Sequence, residues 1–184
     1  MKIVFYKSLL KGAPHLTPTE RIIYSFLVSK SITYIDEVFD KDGLCLNMSD
    51  LDDILSTDEY IGLYPISFTR LSDELNISLR ISFYSLKRLR DCNYIKGNSI
   101  YVNKSLIESG YFELSDDKRL KGELLIFYSY LKHKAERYGG YIDTFRYKLA
   151  EEMGSTKIAV TKLLNRLYKL SLAKRLENNK LMIL

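Results

Sequence analysis

The stretch Leu149-Ala-Glu-Glu-Met-Gly-Ser-Thr-Lys-Ile-Ala-Val-Thr-Lys-Leu-Leu-Asn-Arg-Leu167 decides how the rest of the chain is read. Leu149, Met153, Val160, Leu163, Leu164 and Leu167 recur at helical spacing and would line one inner face. The spacing predicts two short helices joined by a tight turn at Gly154, where a positive φ lets the first helix stop. Ala150 is small enough for two crossing helices to approach closely, and Ser155 or Thr156 can cap the second helix. Lys157, Thr161, Lys162, Asn165 and Arg166 are left facing outward.

The same pattern occurs earlier. Phe68 to Leu75 reads as a helix, Asn76-Ile-Ser78 as a turn, and Ser78 caps a second helix reaching about Cys92, with Ile81, Leu86 and Leu89 inward. Asn76 stands where the later copy has Gly154, which is tolerable because Asn visits the left-handed region. Ser82 stands where the later copy has Val160. Each copy is followed by an expected hairpin: Tyr94 to Val102 around a Gly97-Asn98 turn, and Leu172 to Leu184, which ends the chain.

The echo extends upstream. Ile22-Ile-Tyr-Ser-Phe-Leu27 matches Ile126-Phe-Tyr-Ser-Tyr-Leu131, Leu16-Thr-Pro-Thr19 matches Leu114-Ser-Asp-Asp117, and Tyr6 to Gly12 matches Asn103 to Gly110. Matches in order along the whole unit point to an internal duplication. Ile3 to Tyr6 reads as a strand. Thr17, Pro18 and Glu20 announce a helix through a capping box with proline at its first position, and the helix is expected to end near Ser31. A strand is expected at Ile61 to Ile66.

Charge is unevenly spread. The chain has 28 basic and 23 acidic residues, a net charge of +5. Residues 33–64 hold nine acidic residues and one basic residue, Lys41, leaving 27 basic against 14 acidic elsewhere. This acidic stretch reads as a solvated insert, with a turn at Asp40 to Gly43 and a short capped helix at Ser49 to Leu55. A calcium loop with Gly43 as its glycine would need ligands from Val38 and Ser49, which cannot serve. Between residues 80 and 104 there are six basic residues and one acidic; between 146 and 180, nine and three. Basic excess in both turn-motif regions points to an acidic partner.

Each unit thus reads strand, helix, strand, helix, turn, helix, hairpin. The spacing from small residue to glycine to branched apolar residue is that of a helix-turn-helix. The chain resembles bacterial winged-helix DNA-binding proteins, on Leu149, Ala150, Met153, Gly154, Val160 and Leu164 in one copy and Leu71, Leu75, Ile77, Ser78, Leu86 and Leu89 in the other. The tandem arrangement is similar to plasmid replication initiators, and to tandem winged-helix scaffold subunits of chromosome-segregation complexes. The expected fold is α+β, mainly α with small β-hairpins: two winged-helix domains, 1–98 with the acidic insert and 99–184.

The resemblance implies that the second helix of each turn motif enters the major groove while the wing touches phosphates. The DNA-binding candidates are then Ser78, Arg80, Tyr84, Lys87 and Lys96 in the first unit. In the second they are Thr156, Lys157, Thr161, Lys162, Asn165, Arg166, Lys174 and Arg175. Asn pairs with adenine and Arg with guanine, so Asn165 and Arg80 are the leading base readers. The second copy has the better turn and the more polar face and is expected to be the stronger reader. Phe83 is expected to turn inward and fill the space beside Ser82. The fifteen tyrosines and eight phenylalanines mostly follow helix spacing, as at Tyr24, Phe26, Tyr128 and Tyr130, and are expected in the core and just beneath the surface rather than as base-stacking platforms.

No catalytic constellation stands out. His15 and His133 are isolated, the nine glycines form no phosphate loop, and Cys45 and Cys92 form no CxxC pair, which fits a reducing cytoplasm. No enzyme activity, cofactor or metal is expected. No apolar run suits a membrane span, and the N-terminus lacks a signal-peptide pattern. The expected partner is double-stranded DNA, with self-association into a homodimer compatible with it. The alternative is a protein-interaction scaffold, which the acidic insert would serve.

Overall fold

Thr17 and Glu20 begin the longest helix in the way their spacing dictates. The Thr17 amide donates to Glu20 Oε2 (2.7 Å) and the Glu20 amide donates to Thr17 Oγ1 (3.3 Å), a reciprocal capping box. In the computed structural model, which describes residues 3–11, 13, 15–41, 59–143, 145–177 and 180–184, this helix, α1, runs Pro18–Lys41. It passes well beyond the end expected near Ser31. Ser31 is not a stop: it is buried, and its hydroxyl accepts from the Tyr64 amide at 2.9 Å. No glycine or proline interrupts the chain before Gly43. The front of the stretch read as an acidic insert is therefore helix, and its end is strand β2 (Glu59–Gly62). The turn at Gly43 and the helix at Ser49 to Leu55 lie outside the described residues.

The two halves of the chain run through one order of elements. The first has α1, β2, α2 (Phe68–Leu75), α3 (Leu79–Asp91), β3 (Ile95–Lys96) and β4 (Ser99–Val102). The second has α5 (Glu123–Arg137), β6 (Tyr141–Asp143), α6 (Arg146–Glu152), α7 (Lys157–Lys169), β7 (Ala173–Arg175) and β8 (Lys180–Ile183). Each half closes with a three-stranded antiparallel sheet in which the strand before the paired helices lies beside the last strand: β2-β4-β3 and β6-β8-β7. β2 stops at Gly62 rather than reaching Ile66, and Pro65, which has no amide to donate, stands just beyond. β4 pairs with both β2 and β3, so the first unit extends to Val102 and the boundary expected after residue 98 cuts its hairpin.

Matching residues do matching work. Tyr24 and Tyr128 are buried, and each donates its hydroxyl to a carbonyl near the end of its own sheet, Tyr101 and Leu184 respectively. Burial pushes the Tyr24 phenol well above its usual range. Ser25 and Ser129 are buried on the same helical turns. The first accepts from the Tyr6 amide (3.0 Å), the second from the Ser115 amide (2.8 Å).

The units are joined by strands β1 (Val4–Tyr6) and β5 (Tyr111–Glu113), one ahead of each long helix, which pair antiparallel with Phe5 opposite Phe112. A short 3-10 helix, Lys7–Leu10, follows β1, whereas α4 (Lys104–Glu108) precedes β5. The sequence echo there joins segments on opposite sides of their strands. α1 and α5 pack on each other, and buried side chains of both units form one continuous core.

Candidate nucleic-acid interface

Both paired-helix turns are built alike. Asn76 has φ +50° and Gly154 φ +57°, each in the left-handed region. The following amides reach back five residues, Ile77 to the Ser72 carbonyl (3.0 Å) and Ser155 to the Ala150 carbonyl (2.8 Å). Ser78 and Thr156 then cap α3 and α7, each side-chain oxygen accepting from the amide three residues on, at 3.2 Å. At the far end Asn93 and Ser171 both take positive φ, and the chain turns into β3 and β7.

Gly154 is required for a second reason. A Cβ there would lie 3.1 Å from the Lys11 Cα and 3.3 Å from the Leu10 carbonyl oxygen, so the second turn is wedged against the first unit. Leu75, Ile77 and Ile81 of the first turn line a cavity with Leu120 and Leu125 of the second unit. Ile81, expected inward, is 43% exposed at this lip rather than in the core.

α7 buries Val160, Leu163, Leu164 and Leu167 and exposes the opposite stripe. Lys162 and Asn165 lie near its middle, with Lys157 and Arg166 at its flanks, all exposed. Thr156 is exposed, but its hydroxyl oxygen serves the cap. Thr161 is half-buried and its hydroxyl donates to the Lys157 carbonyl (2.8 Å), leaving only an oxygen acceptor for a partner. Ile158, which the inner-face spacing did not use, is 69% exposed beside Asn165 and Lys162. An exposed methyl-bearing side chain on this face suits a thymine methyl. Arg119 steadies the end of this helix: it donates to the Leu170 carbonyl (3.3 Å) and pairs with Asp117 at 2.6 Å. Hydrogen bonds from Arg119 hold the Asp117 carboxyl below its usual range.

α3 buries Ser82, Ser85, Leu86 and Leu89. Arg80, Tyr84 and Lys87 are exposed at the positions matching Ile158, Lys162 and Asn165, and the Arg80 guanidinium lies 5.7 Å from the Tyr84 ring centre. Arg88, on the outward side, is drawn toward α1, 3.5 Å from Glu20 and donating to the His15 carbonyl (3.1 Å). Phe83 does not fill the space beside Ser82. Ser82 is fully buried and donates to the Ser78 carbonyl (3.3 Å), while Phe83 is 49% exposed and packs on Phe68 and Tyr84 at 5.5 Å each. Ser82 and Phe83 are adjacent, so the helix turns their side chains about 100° apart.

The hairpins place Lys96, Lys174 and Arg175 in the open. Lys96 Nζ lies 4.7 Å from the Tyr60 ring centre. Lys174 and Arg175 are consecutive on β7 and point to opposite faces, so one flat partner meets one of them. Tyr24, Phe26 and Tyr128 are buried as their helix spacing predicts, whereas Tyr138, Tyr141 and Tyr147 are exposed on the second unit. No group of metal-binding side chains occurs among the described residues, and none of their helices is long and apolar enough to cross a membrane.

No protein-family model matches the chain, and no match to it was found among curated proteins.

Proposed function

We propose that the chain is a sequence-specific double-stranded DNA-binding protein made of two winged-helix domains, in the manner of a replication initiator or transcriptional regulator. One observation carries the reading. Two turns of matched geometry each present the second helix with cationic side chains exposed, beside a hairpin with its own exposed lysine. Lys162, Asn165, Arg166 and Lys157 on α7 supply both base-edge and phosphate donors. Arg80 and Lys87 do so on α3, where Tyr84 and Phe83 make the face less polar.

Titrating a labelled mixed-sequence duplex at rising salt tests the electrostatic half of this. The reading requires affinity to fall steeply and linearly on a logarithmic plot, with a slope of about 0.9 per neutralised phosphate. Absence of binding at low salt would remove it.

A second reading has its own support. Phe68, Phe83 and Tyr84 form an exposed ring cluster on the first turn motif, with Phe83 5.5 Å from each of the other two, where the second carries Arg146, Thr161 and Lys162 at matching positions. Such a patch suits a protein partner. On this reading the first unit is a docking module and the second alone meets DNA.

A further inference from the structure

The second unit carries a surface whose aromatic rings duplex reading leaves unused. Two clefts of about 450 and 470 Å³ flank Phe145. One is lined by Tyr147, Tyr168, Arg146, Lys157 and Arg175, the other by Tyr138, Tyr141, Lys148 and Lys180. The rings are open: Tyr138 is 67% exposed, Tyr147 59%, Tyr141 and Phe145 43% each. Phe145 and Tyr147 pack at 5.8 Å between centroids, and Lys148 and Lys180 lie 5.5 and 5.8 Å from the Phe145 and Tyr141 ring centres. Among the described residues lining the clefts the one carboxylate is Glu152, and both its oxygens already accept from Lys134 at 2.6 and 2.7 Å.

The geometry points to a binding site for single-stranded nucleic acid along these two clefts, with Phe145 and Tyr147 stacking on bases and the surrounding lysines and arginines following the phosphates. Open aromatic faces interleaved with lysines and arginines suit a strand whose bases are unpaired, since base faces and phosphates alternate along it. A duplex hides its base faces in the stack and has no use for the rings. An apolar partner helix would have to strip water from at least four cations to reach them. The inference rests on the second unit's surface and stands apart from duplex reading by α7. Lys157 and Arg175 border both surfaces, so a separated strand and an adjoining duplex could be held together.

The test is anisotropy of a fluorescent oligo(dT) of about 15 nucleotides, long enough for one site. The full chain is compared with Phe145→Ala and Tyr147→Ala, and with the conservative Phe145→Tyr and Tyr147→Phe, each first checked by thermal melting. The site predicts that each alanine weakens oligo(dT) binding roughly tenfold. The conservative variants restore it, and duplex affinity is unchanged throughout. Oligo(dT) binding that the alanine variants leave intact would overturn stacking and make the surface a general anion or protein site. A chain that binds duplex but not oligo(dT) would overturn the inference while leaving the duplex reading standing. A chain that binds neither would defeat both.

Discussion

Phe5 and Phe112 face each other across the β1–β5 ladder, rings 5.3 Å apart, and both are fully buried or nearly so. They come from different units and sit in one core. Truncating Phe112 to alanine should cost about 3–5 kcal/mol of unfolding free energy. Phe5→Ala should do the same, and the double variant should lose less than the sum, because the ring–ring contact is removed only once. Denaturant melts of the three variants measure this. Two separate transitions in the native chain would show that the units do not share a core.

Gly154→Ala should destabilise by more than about 1 kcal/mol, since it meets both the left-handed penalty and the Lys11 backbone. Asn76→Gly, at the equivalent turn, should shift stability by less than about 1 kcal/mol, because Asn already tolerates that conformation. Equal effects at the two turns would mean that neither the left-handed penalty nor the Lys11 contact weighs on the Gly154 variant.

Much of this was legible in the sequence, for identifiable reasons. Capping boxes, left-handed turn residues and helix periodicity act within a few residues, so Thr17, Glu20 and Ser78 announced their roles and the second cap was narrowed to Ser155 or Thr156. Repetition did the rest, since Tyr24 and Ser25 could be read against Tyr128 and Ser129. What failed depended on contacts far along the chain. Ser31 looked like a helix end because its burial against Tyr64 cannot be seen locally. Ile81 and Phe83 had apolar character without a core position to occupy. Exposed aromatics such as Tyr138 and Tyr147 follow no periodicity that separates them from buried ones. In the candidate interface the exposed faces were readable, but Arg88's pairing with Glu20 and the exposure of Ile158 were not.

His133 Nε2 is buried without a hydrogen-bond partner among the described residues. Burial, then the charges of Lys7 and Arg137, push its pKa down, with Glu136 opposing. The unfolded chain therefore binds a proton at this site at a higher pH than the folded one does. Stability from this group is present above its ordinary value of 6.5 and falls as pH drops toward its folded value. His133→Gln should flatten that decline in melts from neutral to mildly acidic pH. A variant as pH-sensitive as the native chain would assign the slope elsewhere.

If the proposed function holds, Asn165→Ala and Lys162→Ala should part company in DNA binding. The lysine contact is to charge, so its loss weakens all duplexes alike and lowers the salt slope by about 1. The asparagine contact is to a base edge, so its loss costs about 1–3 kcal/mol on the preferred duplex only and relaxes preference at one position. Identical profiles for the two variants would deny base reading by α7.

Selection of duplexes from a random pool at moderate salt tests the central claim most directly. On the proposed reading, two winged-helix readers in one chain predict an enriched site of two elements, centred about 10 base pairs apart or a multiple of that. A single enriched element would limit reading to α7. A pool that stays random after repeated rounds, from a chain that still binds DNA, would contradict sequence-specific recognition.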